Sequence, residues 1–188
     1  SVAPQSLRGL KDLMGTTASE PEGARLSELS DAASALPSEA ELAIVKRVTG
    51  FRLNLPDSDK GKVLFEKNCA NCHKLRGAGQ LVGPQLDGVG ARGAERLAED
   101  VLLPNRNVDK AFRMSSLLLD DDRVIVGLVR EAGAGDLQVV GTDGKVQNID
   151  PASIASRRDT TRSLMPDNFA ELLSDQDLAD LLQFIIQP

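Results

Sequence analysis

The sequence predicts a mainly α-helical chain with an inserted antiparallel β meander and an N-terminal helical extension. Apolar residues recur at helical spacing behind good N-caps in several stretches outside residues 111–150. Between 111 and 150 the period shortens, and four short runs of β-branched or apolar residues alternate with turn signals. Residues 74–90 hold six of the glycines and prolines of a tight loop, Gly77, Gly79, Gly83, Pro84, Gly88 and Gly90.

Residues 1–56 read as a helical extension or linker. A candidate helix near Ser6–Met14 is followed by Gly15-Thr16-Thr17-Ala18-Ser19-Glu20-Pro21, a linker composition. Ser38-Glu39-Ala40-Glu41 is a capping box ahead of Leu42, Ile44, Val45 and Val48. This extension either covers one side of the main domain or is the tail of a preceding one. The main domain, 57–188, opens with Asp57 or Ser58 capping a helix through Gly61, Leu64 and Phe65. Glycine inside a helix costs about 1 kcal/mol against alanine, so Gly61 implies close packing against another helix. The natural partner is the last one, capped at Ser174-Asp175-Gln176-Asp177, with Leu178, Leu181, Leu182 and Ile185 as its apolar stripe. A further helix spans roughly Gly93–Leu103 and stops at Pro104.

The meander is read as four strands, Phe112–Leu119, Arg123–Arg130, Leu137–Val140 and Lys145–Ile149. Asp120-Asp121-Asp122, Gly133-Ala134-Gly135 and Thr142-Asp143-Gly144 separate them, and Asp-Gly is a hairpin signal. Residues 152–169 are read as a returning loop.

Chemistry concentrates in Cys69-Ala70-Asn71-Cys72-His73, the C-x-x-C-H signature of covalent c-type haem attachment. On a helical turn, positions i, i+3 and i+4 share a face, so both thiols and the imidazole can address one planar ligand. The thiols form thioethers to the haem and the imidazole reaches the iron. A structural zinc site needs four ligands, and the chain has two Cys and one His. A thioredoxin-like pair needs a βαβ setting, absent from this pattern.

Composition fits a haem. With 41% hydrophobic and 27% charged residues the chain is ordinary, but it has no Trp or Tyr and five Phe, so a buried porphyrin supplies flat apolar bulk that side chains do not. The net charge of −6 is no nucleic-acid footprint. Residues 58–108 carry 8 basic and 6 acidic groups, a sum of +2, and residues 161–188 carry 1 and 5, a sum of −4; such asymmetry can orient a docking partner. No apolar run is long enough to span a bilayer. No leader is visible, so the sequence reads as a mature form or a piece of a longer protein. Covalent haem attachment of this type implies a periplasmic or other extracytoplasmic location.

His73 takes one axial position and is the only histidine. Met14, Met114, Met165, a lysine, water or a group from elsewhere remain for the other. Met165 is best placed, in Ser163-Leu164-Met165-Pro166 before the last helix, where Pro166 keeps the preceding backbone extended. Met114 falls in a strand and reads as packing. Arg92, Arg106 and Arg162 are candidates for pairing with haem propionates, each as readily a surface arginine.

The chain resembles a class I cytochrome c in Gly61-Lys62-Val63-Leu64-Phe65, Cys69 to His73, Gly83-Pro84-Gln85-Leu86 and Leu164-Met165-Pro166. That resemblance implies His73 and Met165 as axial ligands, and the carbonyl of Pro84 as acceptor of the His73 Nδ1 hydrogen bond. The separation of His73 and Met165, 92 positions, exceeds what a compact member of that family needs, and the excess is the meander. In this the chain is similar to the haem-binding domains of planctomycete-type bacteria, often found at the C-terminal end of larger dehydrogenase-like proteins. The implied function is electron transfer through one covalently attached haem c, with a dehydrogenase or another cytochrome as partner and no catalysis by the chain itself. The alternative is a haem sensor or haem enzyme with a labile sixth ligand. A third reading makes the meander an interaction platform.

Overall fold

Ser38 Oγ accepts the Glu41 N–H at 3.1 Å while the Glu41 carboxylate accepts the Ser38 N–H at 2.9 Å. This reciprocal cap opens the first described helix, α1 (Glu39–Thr49). The computed structural model describes residues 38–133 and 135–188; the candidate helix Ser6–Met14, the linker that follows it and Met14 lie outside the described residues. Ala43–Pro188 form one compact unit. Within it, Val48 of α1 and the following Phe51 are buried in the helical core. Arg47 is tied to the Asp175 carboxylate and to the Ala170 and Leu173 carbonyls at 2.6–2.8 Å.

Helix α2 (Ser58–Asn68) starts at Asp57, whose carboxylate accepts the N–H groups of Asp59 and Lys60. Helix α3 is Ala94–Leu102, and the short α4 (Phe169–Leu172) precedes α5 (Asp175–Ile186). At α5 the Ser174 hydroxyl accepts the Asp177 N–H, and the Asp177 carboxylate accepts the Ser174 N–H, both at 3.1 Å. Helices α2 and α5 cross as expected. A Cβ at Gly61 would overlap the Asp180 carbonyl, so only glycine admits this approach. The buried Asp180 carboxylate accepts the Asp57 N–H at 2.8 Å and the Gln176 side-chain amide at 2.8 Å, joining the start of α2 to α5. Phe65 and Phe184 pack ring to ring at 5.6 Å across the crossing.

The β region is larger than the sequence suggests. Its strands are β3 (Arg113–Leu119), β4 (Val124–Glu131), β5 (Leu137–Val140), β6 (Val146–Ile149) and β7 (Ile154–Ser163), following a small hairpin of β1 (Lys74–Leu75) and β2 (Ala78–Gly79) in the glycine-rich loop. The main sheet has the order β6-β5-β4-β3-β7, antiparallel throughout. Thus β3 to β6 form the expected four-stranded meander, and β7 adds a fifth strand on its other edge, beside β3, so the sheet runs on to Ser163 rather than ending near 150. Most of the expected loop 152–169 is strand β7. With that sheet the fold is helical and strand in mixture, so the mainly α expectation holds only for the haem-motif region and the last helices. Strand β7 escaped because Ile154-Ala155-Ser156-Arg157-Arg158-Asp159-Thr160-Thr161-Arg162-Ser163 has no apolar alternation. It is an edge strand, with seven of its ten residues exposed. Its hold is polar: Ser115 Oγ donates to Asp159 at 2.6 Å, and Thr160 Oγ1 donates to the Met114 carbonyl at 2.8 Å.

Two apolar cores result. The larger gathers Phe65, Leu97, Phe169, Leu178, Leu182 and their neighbours from the helices. A smaller one, Leu117, Leu119, Val139 and Ile149, belongs to the sheet.

Candidate functional site

Helix α2 ends at Asn68, but the chain keeps turning. The Cys69 carbonyl accepts the N–H groups of Cys72 at 3.0 Å and His73 at 2.8 Å. The turn faces a cleft of about 530 Å³ lined by Cys69, Cys72, His73, Pro84 and Met165, within the size range of cofactor sites. All five residues singled out in the sequence therefore meet around one space. Leu97 and Val101 of α3, Leu182 and Ile185 of α5, and Leu128 of β4 add apolar walls.

His73 is oriented by Pro84, whose carbonyl accepts the Nδ1–H at 2.8 Å, leaving Nε2 as the ring's free acceptor. Burial holds the imidazole below its ordinary pKa against the opposing pull of that hydrogen bond, so the ring is neutral and fit to ligate. Gly83 makes the approach possible: a Cβ there would lie 2.7 Å from His73 Cε1. Its N–H and that of Val82 both donate to the Cys72 carbonyl, at 2.7 and 3.0 Å, so the Pro84 loop is bound to the motif turn. Burial, with Cys72 close by, pushes the Cys69 thiol up to about 12, and burial also raises Cys72. Burial thus favours the protonated thiol at both positions.

The Met165 loop is delivered by β7. Ser163 pairs with Arg113 at the foot of β3, so the insertion leaves and returns at one place. The Ser163 N–H donates to Asn105 Oδ1 at 2.8 Å, and its Oγ accepts the Met165 N–H at 3.1 Å. Met114 is half-buried in β3 and does not line the cleft. Of the three arginines considered for propionates, Arg92 lines the cleft. Arg106 pairs with Glu99 at 3.2 Å, and Arg162 with Asp167 at 2.6 Å on the surface. Arg92 Nη1 lies 2.7 Å from Asp100 Oδ2, off the hydrogen-bonding direction, so that buried oxygen has no aligned donor among the described residues. Burial raises the Asp100 carboxyl above its ordinary range despite Arg92 and Arg96. Asn105 and Leu128 carry no sequence signal that would have marked them at the site, whereas Gly83 stands in the Gly83-Pro84 stretch already singled out.

A largely apolar cleft, two thiols and an oriented neutral imidazole on one turn, and a glycine whose missing side chain the imidazole occupies fit a covalently held haem. No helix among the described residues is long and apolar enough to cross a membrane. No curated protein matches the chain. Residues 58–116 match the family model described as cytochrome c, about a third of the sequence, a stretch that includes Cys69, Cys72 and His73 and stops short of Met165. Over that stretch the chain carries a c-type cytochrome domain, whose cofactor is covalently attached haem c.

Proposed function

We propose that residues 57–188 form an electron-transfer domain of the class I type. In this reading Cys69 and Cys72 would carry the haem, and His73 and Met165 would hold its iron. The observation that carries it is a single cleft lined both by the motif turn and by a methionine 92 positions downstream. When bound, haem would supply a one-electron couple, and a methionine–histidine donor pair would raise its potential relative to harder donor sets. The chain's own residues do the rest. Pro84 holds the His73 ring in one tautomer and orientation. Asn105 and Ser163 fix the backbone at Met165, which supports a permanent ligand over a labile one. Leu97, Val101, Leu182 and Ile185 exclude water, so little rearrangement accompanies a change of charge.

The domain is read as a carrier that accepts electrons from a dehydrogenase or another cytochrome in the periplasm or a similar space. The positive 58–108 stretch and the negative 161–188 stretch give a partner a field to align with. The strands after residue 111 resemble the insertion of planctomycete-type haem domains.

Absorption spectra of the holoprotein in both redox states test this reading. The ferric wild type is expected to show the weak far-red methionine–iron band. Met165→Ala is expected to lose that band and to lower the midpoint potential. An unchanged spectrum and potential in Met165→Ala would remove Met165 from its role.

A further inference from the structure

Strand β4 turns one face of the sheet toward the cleft. Leu128 is 2% exposed and lines it, and Arg130, two residues on, shares that face. The Arg130 guanidinium donates through Nη1 to the Leu81 carbonyl at 2.9 Å and through Nη2 to the Val82 carbonyl. Among the described residues Arg130 has no carboxylate partner, so its rigid fork is committed to these two carbonyls.

The segment it grips is the one that positions His73. Val82 and Gly83 donate to the Cys72 carbonyl, Gly83 lies against the imidazole, and Pro84 accepts the Nδ1–H. Residues 81–84 are therefore stitched to the haem turn on one side and to the inserted sheet on the other. We infer that Arg130 is a positioning residue through which the β insertion sets the Pro84–His73 hydrogen bond, and with it the redox poise of the haem. The inference rests on the reading of His73 as an iron ligand. It gives the insertion a part in the chemistry, in place of inert shielding.

The sign follows from the hydrogen bond. A firm Nδ1–H···O=C bond makes the imidazole more basic, and a more basic ligand favours the oxidised iron. Loosening residues 81–84 weakens that bond and raises the potential. Removing a nearby positive charge acts in the opposite direction. Arg130→Lys, which keeps charge and loses the fork, separates the two; Arg130→Met removes both.

The experiment uses the holoprotein. Amide hydrogen exchange at Val82 and Gly83 is expected to quicken about tenfold in Arg130→Lys, as loss of a charge-assisted hydrogen bond implies, while amides of the α2–α5 crossing keep their protection. The midpoint potential of Arg130→Lys is expected to rise, and that of Arg130→Met to lie below it. Unchanged exchange in both variants overturns the inference. So does quickened exchange with an unmoved potential in Arg130→Lys, because Arg130 would then be structural only. Ligation by His73 is read separately in the unsubstituted holoprotein from its paramagnetically shifted ring protons. Their absence overturns the functional reading and this inference together; their presence with an unmoved Arg130→Lys potential overturns this inference alone.

Discussion

Gly83 and Gly77 lie six residues apart in one loop and need to be glycine for different reasons. A Cβ at Gly83 would lie 2.7, 3.1 and 3.2 Å from His73 Cε1, Nδ1 and Nε2. The ring cannot swing aside without giving up the Pro84 carbonyl. Gly83→Ala is therefore expected to cost about 1–3 kcal/mol, the usual range for overpacking a well-filled site, and to alter the haem spectrum. Gly77 has φ +82° with open space around the missing Cβ, so alanine there pays only for left-handed backbone, about 1–2 kcal/mol. Denaturant titration of the two holoproteins should show both losses, and the visible spectrum should change in Gly83→Ala alone. At this scale the cysteines and His73 were legible because their chemistry is written in five consecutive residues. Arg130 was not, because its partners lie 48 and 49 positions away and are backbone carbonyls with no sequence identity to read.

Helix α5 forms a wall of the cleft, so its start matters to the site. The Ser174 hydroxyl holds the Asp177 carboxyl below its ordinary range, helped by the Ser174 N–H. A lowered carboxylate pKa means that the fold favours the ionised form. The stabilisation is complete above the ordinary carboxylate value near 3.8 and is lost as pH falls through the lowered one. Ser174→Ala is expected to cost about 1 kcal/mol at neutral pH, and to flatten the acid dependence of stability in that window, as measured by unfolding at stepped pH. Helix ends such as this one were readable from the sequence, since caps and apolar stripes are local. The α2–α5 crossing was readable from Gly61 and the leucine stripe of α5. The hairpin of β1 and β2 was not, at two residues a side, nor was β7, whose place beside β3 rests on Ser115–Asp159 and Thr160–Met114 contacts rather than on buried apolar residues.

The molecule reconciles its long His73–Met165 separation by making the insertion a closed excursion. The chain enters β3 just after Phe112, and β7 returns with Ser163 opposite Arg113 and bonded to Asn105, so the Met165 loop starts beside the point where the insertion leaves. The sheet keeps a core of its own, and Leu128 and Arg130 link it to the haem side. Separate cores imply separable stability. Leu117 is fully buried in the sheet core, opposite Ile125 on β4 and Arg157 on β7. Leu117→Ala leaves a cavity there and is expected to cost about 3 kcal/mol. Amide exchange across β3–β7 should quicken accordingly, while α2 and α5 keep their protection and the haem spectrum is unmoved. Because Arg130 is carried by this sheet, Val82 and Gly83 should lose protection along with the strands and ahead of the helices. Equal loss through α2 and α5 would instead make helices and sheet one cooperative unit, and a sheet that loosens without Val82 and Gly83 would leave Arg130 no route from the insertion to His73.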